Sequence, residues 1–258
     1  MKIGILTGGG DTPALNSVIY GAALEAEQLG YRAIGFKRGW QGVLSPVDYM
    51  ELSPEDIDPS TGGTELKTSR TNPEDDELDS AASNIEKVVD GLIAIGGDDT
   101  LTVGKKLQSR LNIPVTFVTK TIDNDVGQNA PGEQDYTAFD PSKVENYFTS
   151  GFATAAQKIS DFTSDLRTTA YSHDRVMFIE SMGRTPGWLA LASYAGDPDF
   201  ILVPEHPLNW ERFKETLAER YQENKNAVVV VAEGVRYEGS SGPISQDASQ
   251  IDVFGHKK

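Results

Sequence analysis

The sequence contains no cysteine, which excludes disulfide bonds and thiolate metal sites. It has no apolar run approaching the ~20 residues needed to cross a bilayer, so no membrane partner is expected. The opening residues MKIGILTGGG read as a first buried strand and not as a signal peptide, and the cytoplasm is the expected compartment. Basic residues are the minority: 23 Lys and Arg stand against 39 Asp and Glu, a formal net charge of −16. Nucleic acid is therefore not an expected partner, because a basic face is needed against phosphates. The same field repels small anions. Any phosphate site must be built locally, from Arg, Lys, backbone N–H groups and a divalent cation. The acidic run Glu74 to Asp79 reads as solvated surface.

What is present is a chain of 258 residues, 38% of them hydrophobic, in which strand-like and helix-like segments alternate. That length has room for one large α/β domain or two small ones. Strands are expected at residues 3–7, 32–36, 92–95, 115–118, 175–179, 200–203 and 227–232, with helices after Pro13, over 79–90, after the GGDDT turn, over GFATAAQKISDFTSDLRTTA and over 210–224. The segment RGWQGVL and residues 51–61 read as loops. No internal repeat is present, and a lobe boundary is expected near residues 127–151.

The chain is organised around residues 92–125, LIAIGGDDT to IPVTFVTKTIDND. In an open α/β sheet, ligands sit beyond the carboxyl ends of the strands. Asp98, Asp99, Lys120, Asp123 and Asp125 are then expected along one crevice. Carboxylates that close repel unless a cation stands between them, which points to a metal ion and a charged substrate. The first strand ends in Gly8, Gly9, Gly10 and Asp11, followed by a helix start. That makes an anion site of bare N–H groups and a helix dipole, or only a tight turn; it does not match GxGxxG. Gly62 and Gly63 precede KTSR, where Arg70 can clamp a phosphate from two directions or simply face solvent.

In order along the chain, GGGDTPALN, GGTELKTSR, GGDDT, KTIDND, SHDR, ESMGR and VAEG resemble the phosphofructokinases, most closely their pyrophosphate-dependent branch. The resemblance runs from residue 1 to about 256. A GGD motif also resembles NAD and lipid kinases, which lack the TIDND and MGR pair. The resemblance implies two α/β/α sandwich lobes with mostly parallel sheets and an active site in the cleft between them. Residues 1–140 would bind the phosphoryl donor and 141–258 the sugar phosphate, the second lobe lacking its C-terminal end. It further implies Mg²⁺ held by Asp98, and donor binding by Gly9, Gly10, Arg70 and Asp99. Thr121, Ile122, Asp123, Arg175, Met182, Gly183, Arg184 and Glu233 would meet fructose 6-phosphate. Asp123 would take the proton of the sugar 1-hydroxyl, supported by Asp125, with Lys120 and Arg184 steadying the moving phosphoryl group. Arg175 would grip the 6-phosphate, in many relatives from a neighbouring subunit, so a homo-oligomer (dimer or tetramer) is expected.

Two positions bear on the donor. ATP-using relatives usually carry glycine where this chain has Asp99 and Lys120. A glycine leaves space for the α-phosphate and nucleoside, whereas Asp99 would fill that space with negative charge. Two like charges ~4 Å apart at a partly screened site repel by roughly 4 kcal/mol. Asp99 can also be read as a helix N-cap. The expected donor is pyrophosphate, the alternatives being an ATP-dependent enzyme or a non-catalytic sugar-phosphate-binding subunit.

Overall fold

The apolar run of the first strand, β1 (Lys2–Thr7), is buried from Gly4 onward, and neighbours flank it on both sides. In this computed structural model, which describes residues 1–126, 146–240 and 242–243, β2 (Arg32–Phe36) and β4 (Gly91–Gly96) pair with it in parallel. β5 (Val115–Thr121) extends the sheet beyond β4, and the two-residue β6 (Ser150–Gly151) follows, both parallel. β3 (Tyr49–Leu52) runs antiparallel to β2 at the other edge, giving the order β3-β2-β1-β4-β5-β6. Side chains alternate across a sheet. Leu6, Phe36, Leu92 and Ala94 accordingly join a core with Leu78, Ile85 and Leu107 of helices α2 (Leu78–Val88) and α3 (Asp98–Gln108). Ile5, Ala33 and Ile95 join another with Leu15 and Ile19 of α1 (Leu15–Gln28). The result is a three-layer α/β/α sandwich.

That sandwich, Met1–Thr121 with Thr149–Gly151, is one of two compact units; the other is Ile122–Phe148 with Phe152–Lys258. The boundary expected at 140/141 falls outside the described residues. The second unit holds a parallel sheet of order β7-β9-β8, from β7 (Val176–Ser181), β9 (Ala227–Ala232) and β8 (Phe200–Leu202). Central β9 reads AVVVVA, with all but Val231 buried, as a strand covered on both faces requires. α4 (Phe152–Ser172) and α5 (Trp188–Ala192) bring Ile159, Leu166, Ala170 and Ala190 to its core. α6 (Trp210–Asn224) sets Phe213 edge-on to Phe200, ring centroids 5.6 Å apart. The Asn209 side chain caps α6 by accepting from Arg212 N at 3.1 Å.

The bounds of β2, α6 and β9 coincide with the expected ones; most others shift by one or two residues, and four features depart from expectation in kind. β5 continues past its apolar run because Lys120 and Thr121 pair with Ser150 and Gly151, placing both residues in the strand. β3 was hidden by turn-forming residues that follow it. The segment after β2 is a 3₁₀ turn (Gly39–Val43) that buries Trp40 and Val43. α3 begins at Asp98, with Gly97 at its N-cap. Asp99 therefore lies inside the first turn, where negative charge favours the helix dipole, and is not the cap.

A buried carboxylate ties the second unit together. The Asp199 side chain is 3% exposed and pairs with Arg167 Nη1 at 3.2 Å and Arg220 Nε at 2.6 Å. It also accepts from the backbone N–H of Val228 in β9 at 2.8 Å. Asp199→Ala strands the Val228 N–H, takes the carboxylate from Arg220 and leaves Arg167 with Asp197 alone. It is expected to destabilise the protein by about 2–4 kcal/mol, read as a lower midpoint in thermal or urea unfolding followed by circular dichroism.

Candidate active site

In the first unit, three adjacent parallel strands deliver the predicted donor residues to one sheet edge. β1 ends in Gly8–Gly10, β4 leads into Asp98 and Asp99, and β5 carries Lys120. Lys120 is only 3% exposed, and its Nζ donates to the Gly10 carbonyl at 2.5 Å. Gly9 has φ +78°, and a Cβ there would stand 3.4 Å from Lys120 Nζ. The ammonium thus lies against the glycine turn, in a conformation that L side chains rarely adopt. Asp98 is exposed and Asp99 half-buried, both in the first turn of α3.

Arg70 is exposed, but the residues before it are tied to this edge. Thr68 Oγ1 donates to the Gly9 carbonyl at 2.5 Å, and Ser69 Oγ to the Arg38 carbonyl at 2.7 Å. The turn leading to Gly62 and Gly63 is held by Asp58. Hydrogen bonds from the Ser60 hydroxyl, the Thr61 hydroxyl and the Ser60 backbone N–H lower its carboxyl pKa to about 2. The Asn16 amide, donating to the Thr61 carbonyl at 3.1 Å, fastens that turn to α1.

In the second unit, Asp123 is 8% exposed, and Arg184 Nε lies 3.6 Å from its Oδ2. Arg184 adopts φ +55° and the preceding Gly183 φ +138°. One oxygen of Glu233 holds that bend, accepting from the backbone N–H of Gly183 at 3.0 Å and of Arg184 at 2.7 Å. Glu233, read from sequence as a sugar ligand, is thus also a clamp on the loop. Met182 is exposed, Asp125 and Ile122 are half-buried, and Arg175 is exposed just beyond α4. Thr121 closes β5 in the first unit, its carbonyl accepting from Thr149 Oγ1 at 2.8 Å. Of the five charged residues expected in one crevice, Asp98, Asp99 and Lys120 belong to the first unit and Asp123 and Asp125 to the second.

Sequence reasoning passed over Thr100. A Cβ on Gly8 would stand 2.4 Å from Thr100 Oγ1, and one on Gly96 2.4 Å from Thr100 Cβ. This buried side chain fills the space between the glycine turn after β1 and the end of β4. The signal was a β-branched residue straight after GGDD, a poor helix former in a first turn. Among the described residues no group of three or more His, Asp or Glu side chains can hold a metal. A lone carboxylate such as Asp98 fits Mg²⁺, which is usually bound through one or two carboxylates, waters and substrate phosphates.

The chain is similar to known proteins over nearly all of its length. It is 42% identical over 263 residues to the pyrophosphate–fructose 6-phosphate 1-phosphotransferase of Dictyoglomus thermophilum, covering 99% of this chain and 70% of that protein. It is 35% identical over 266 residues to ATP-dependent 6-phosphofructokinase 3 of Streptomyces coelicolor, covering 100% of this chain and 72% of that one. In structure it is similar to Pichia pastoris phosphofructokinase in the T-state, with a TM-score of 0.77 and 23% identity, spanning 100% of this chain and 27% of that one. With the phosphofructokinase model matched over residues 2–132 and 143–256, the chain belongs to the phosphofructokinase family.

Proposed function

We propose that the protein transfers a phosphoryl group from pyrophosphate to the 1-hydroxyl of fructose 6-phosphate, giving fructose 1,6-bisphosphate and phosphate as a step of glycolysis. The observation that carries this reading is a buried Lys120 ammonium on the Gly9–Gly10 turn together with a carboxylate, Asp99, in the first turn of α3 at the end of the adjacent strand. The turn and the lysine suit two linked phosphates. The Asp99 carboxylate opposes a third phosphate bearing a nucleoside.

In the step itself, the bridging P–O bond of pyrophosphate breaks and a bond forms from phosphorus to the sugar O1. The hydroxyl proton passes to the Asp123 carboxylate, and phosphate departs. Such transfers depend mainly on positioning and on stabilising negative charge. Lys120 and the N–H groups of the glycine turn hold the donor, and Arg70 clamps its phosphates. Arg184, held by Glu233, steadies the transferring group beside Asp123, and Met182 and Gly183 shape the sugar pocket. Thr121 and Ile122 meet the sugar phosphate where the chain leaves β5, and Asp125 supports Asp123. Mg²⁺ bound through Asp98 would neutralise donor oxygens.

The first unit serves the donor and the second the sugar phosphate on this reading. Arg175, exposed on the surface, serves the 6-phosphate of a neighbouring copy, so the working state is a homo-oligomer. Charged reactants such as a sugar phosphate and pyrophosphate favour the cytoplasm as the setting of the reaction. No helix among the described residues is long and apolar enough to cross a membrane.

Two expected outcomes test this. Steady-state assays with each donor should show turnover with pyrophosphate and little with ATP, while Asp99→Gly should gain ATP use and keep pyrophosphate use. An enzyme turning over ATP alone, or an Asp99→Gly protein active with pyrophosphate and no better with ATP, defeats the donor argument. Asp123→Asn should lower kcat by roughly 10²- to 10⁴-fold while binding of fructose 6-phosphate, read by calorimetry, changes little.

A further inference from the structure

The loop that carries Arg184 has a second anchor. It leaves β7 at Ser181 and enters α5 at Trp188. At its start, Glu233 accepts from Gly183 and Arg184, and its own N–H donates to the Ser181 carbonyl at 2.9 Å. At its end, the backbone N–H of Gly187 donates to Glu205 Oε1 at 2.7 Å. Glu233 follows β9 directly, and Glu205 stands three residues after β8. With the strand order β7-β9-β8, the loop is gripped by a carboxylate from the end of each of the other two strands.

The fit between these points is close. A Cβ on Gly187 would stand 2.7 Å from both Glu205 Oε2 and Val203 Cβ. One on Gly234 would meet the Arg184 carbonyl at 2.2 Å and Pro204 Cγ at 3.0 Å. The Val203–Glu205 segment therefore forms one wall against which the Arg184 backbone is pressed. Glu205 Oε2 is buried with no hydrogen-bond partner among the described residues. A buried acceptor left unmet is costly, and such costs are kept where the surroundings enforce an unusual conformation. Here that conformation is the left-handed backbone of Arg184.

Resting on the phosphotransferase reading above, we infer that Glu205 is a positioning residue for Arg184, fixing the sugar-phosphate loop by its hydrogen bond to Gly187. It touches neither donor nor sugar. Its loss should be felt through Arg184, in kcat and in KM for fructose 6-phosphate but not in KM for pyrophosphate.

The test uses Glu205→Ala and Glu205→Gln in the full-length protein, with amide hydrogen exchange of residues 182–187 measured in both. Glu205→Ala should lower kcat/KM for fructose 6-phosphate by roughly 10- to 100-fold, leave KM for pyrophosphate unchanged and speed exchange at Arg184 and Gly187. Glu205→Gln keeps a carbonyl acceptor and should restore most of the loss. Gly187→Ala, which crowds the same contact from the other side, should reproduce the acceptor defect and serves if Glu205→Ala folds poorly. Wild-type kinetics in Glu205→Ala, or a KM for pyrophosphate raised as much as that for fructose 6-phosphate, overturn the inference. A wild-type protein inactive with pyrophosphate would refute the donor reading instead. Unchanged exchange at Arg184 and Gly187 would then still overturn the role of Glu205.

Discussion

An ammonium taken out of water must be paired or hydrogen-bonded, and Lys120 meets that demand on the carbonyl of Gly10. The contact joins the ends of β5 and β1, which are not neighbours in the sheet; β4 lies between them. It therefore spans the α3 start and helps set how near the glycine turn stands to Asp98 and Asp99. In a chain of formal charge −16, a cation held at one sheet edge locally opposes the prevailing negative field.

The second unit solves a related problem with the opposite charge. Arg184 must present its guanidinium beside Asp123 while its backbone turns left-handed, which a β-carbon disfavours. Two carboxylates supply acceptors to the loop N–H groups, so the loop is held by ionised oxygen atoms, stronger acceptors than neutral carbonyls. Asp199 repeats the device deeper in the fold, joining α4, α6 and β9 through Arg167, Arg220 and Val228. Carboxylates in this unit organise backbone and guanidinium groups as much as they face solvent.

Much of the architecture was legible in the sequence. Apolar runs such as AVVVVA and the helical spacing of residues 210–224 recover β9 and α6 residue for residue, because local pattern and burial agree there. β3 was less visible because its pairing is with β2 alone and its outward residues are exposed; nothing local distinguishes such an edge from a loop. The polar end of β5 was missed for a tertiary reason, since its partner β6 lies 29 or more residues further along the chain. In the site, motif order singled out Lys120, Asp123 and Arg184. Glu205 was invisible, being one glutamate among many, and only the fold brings it to Gly187.

Thr100 occupies the volume in which a side chain at either Gly8 or Gly96 would have to sit. The three positions consequently behave as a single steric locus. Enlarging either glycine demands a smaller residue at 100, and shrinking Thr100 opens a void beneath two turns at once. A change at any of the three is thereby coupled to the other two, so this corner of the first sandwich accommodates substitution only in concert.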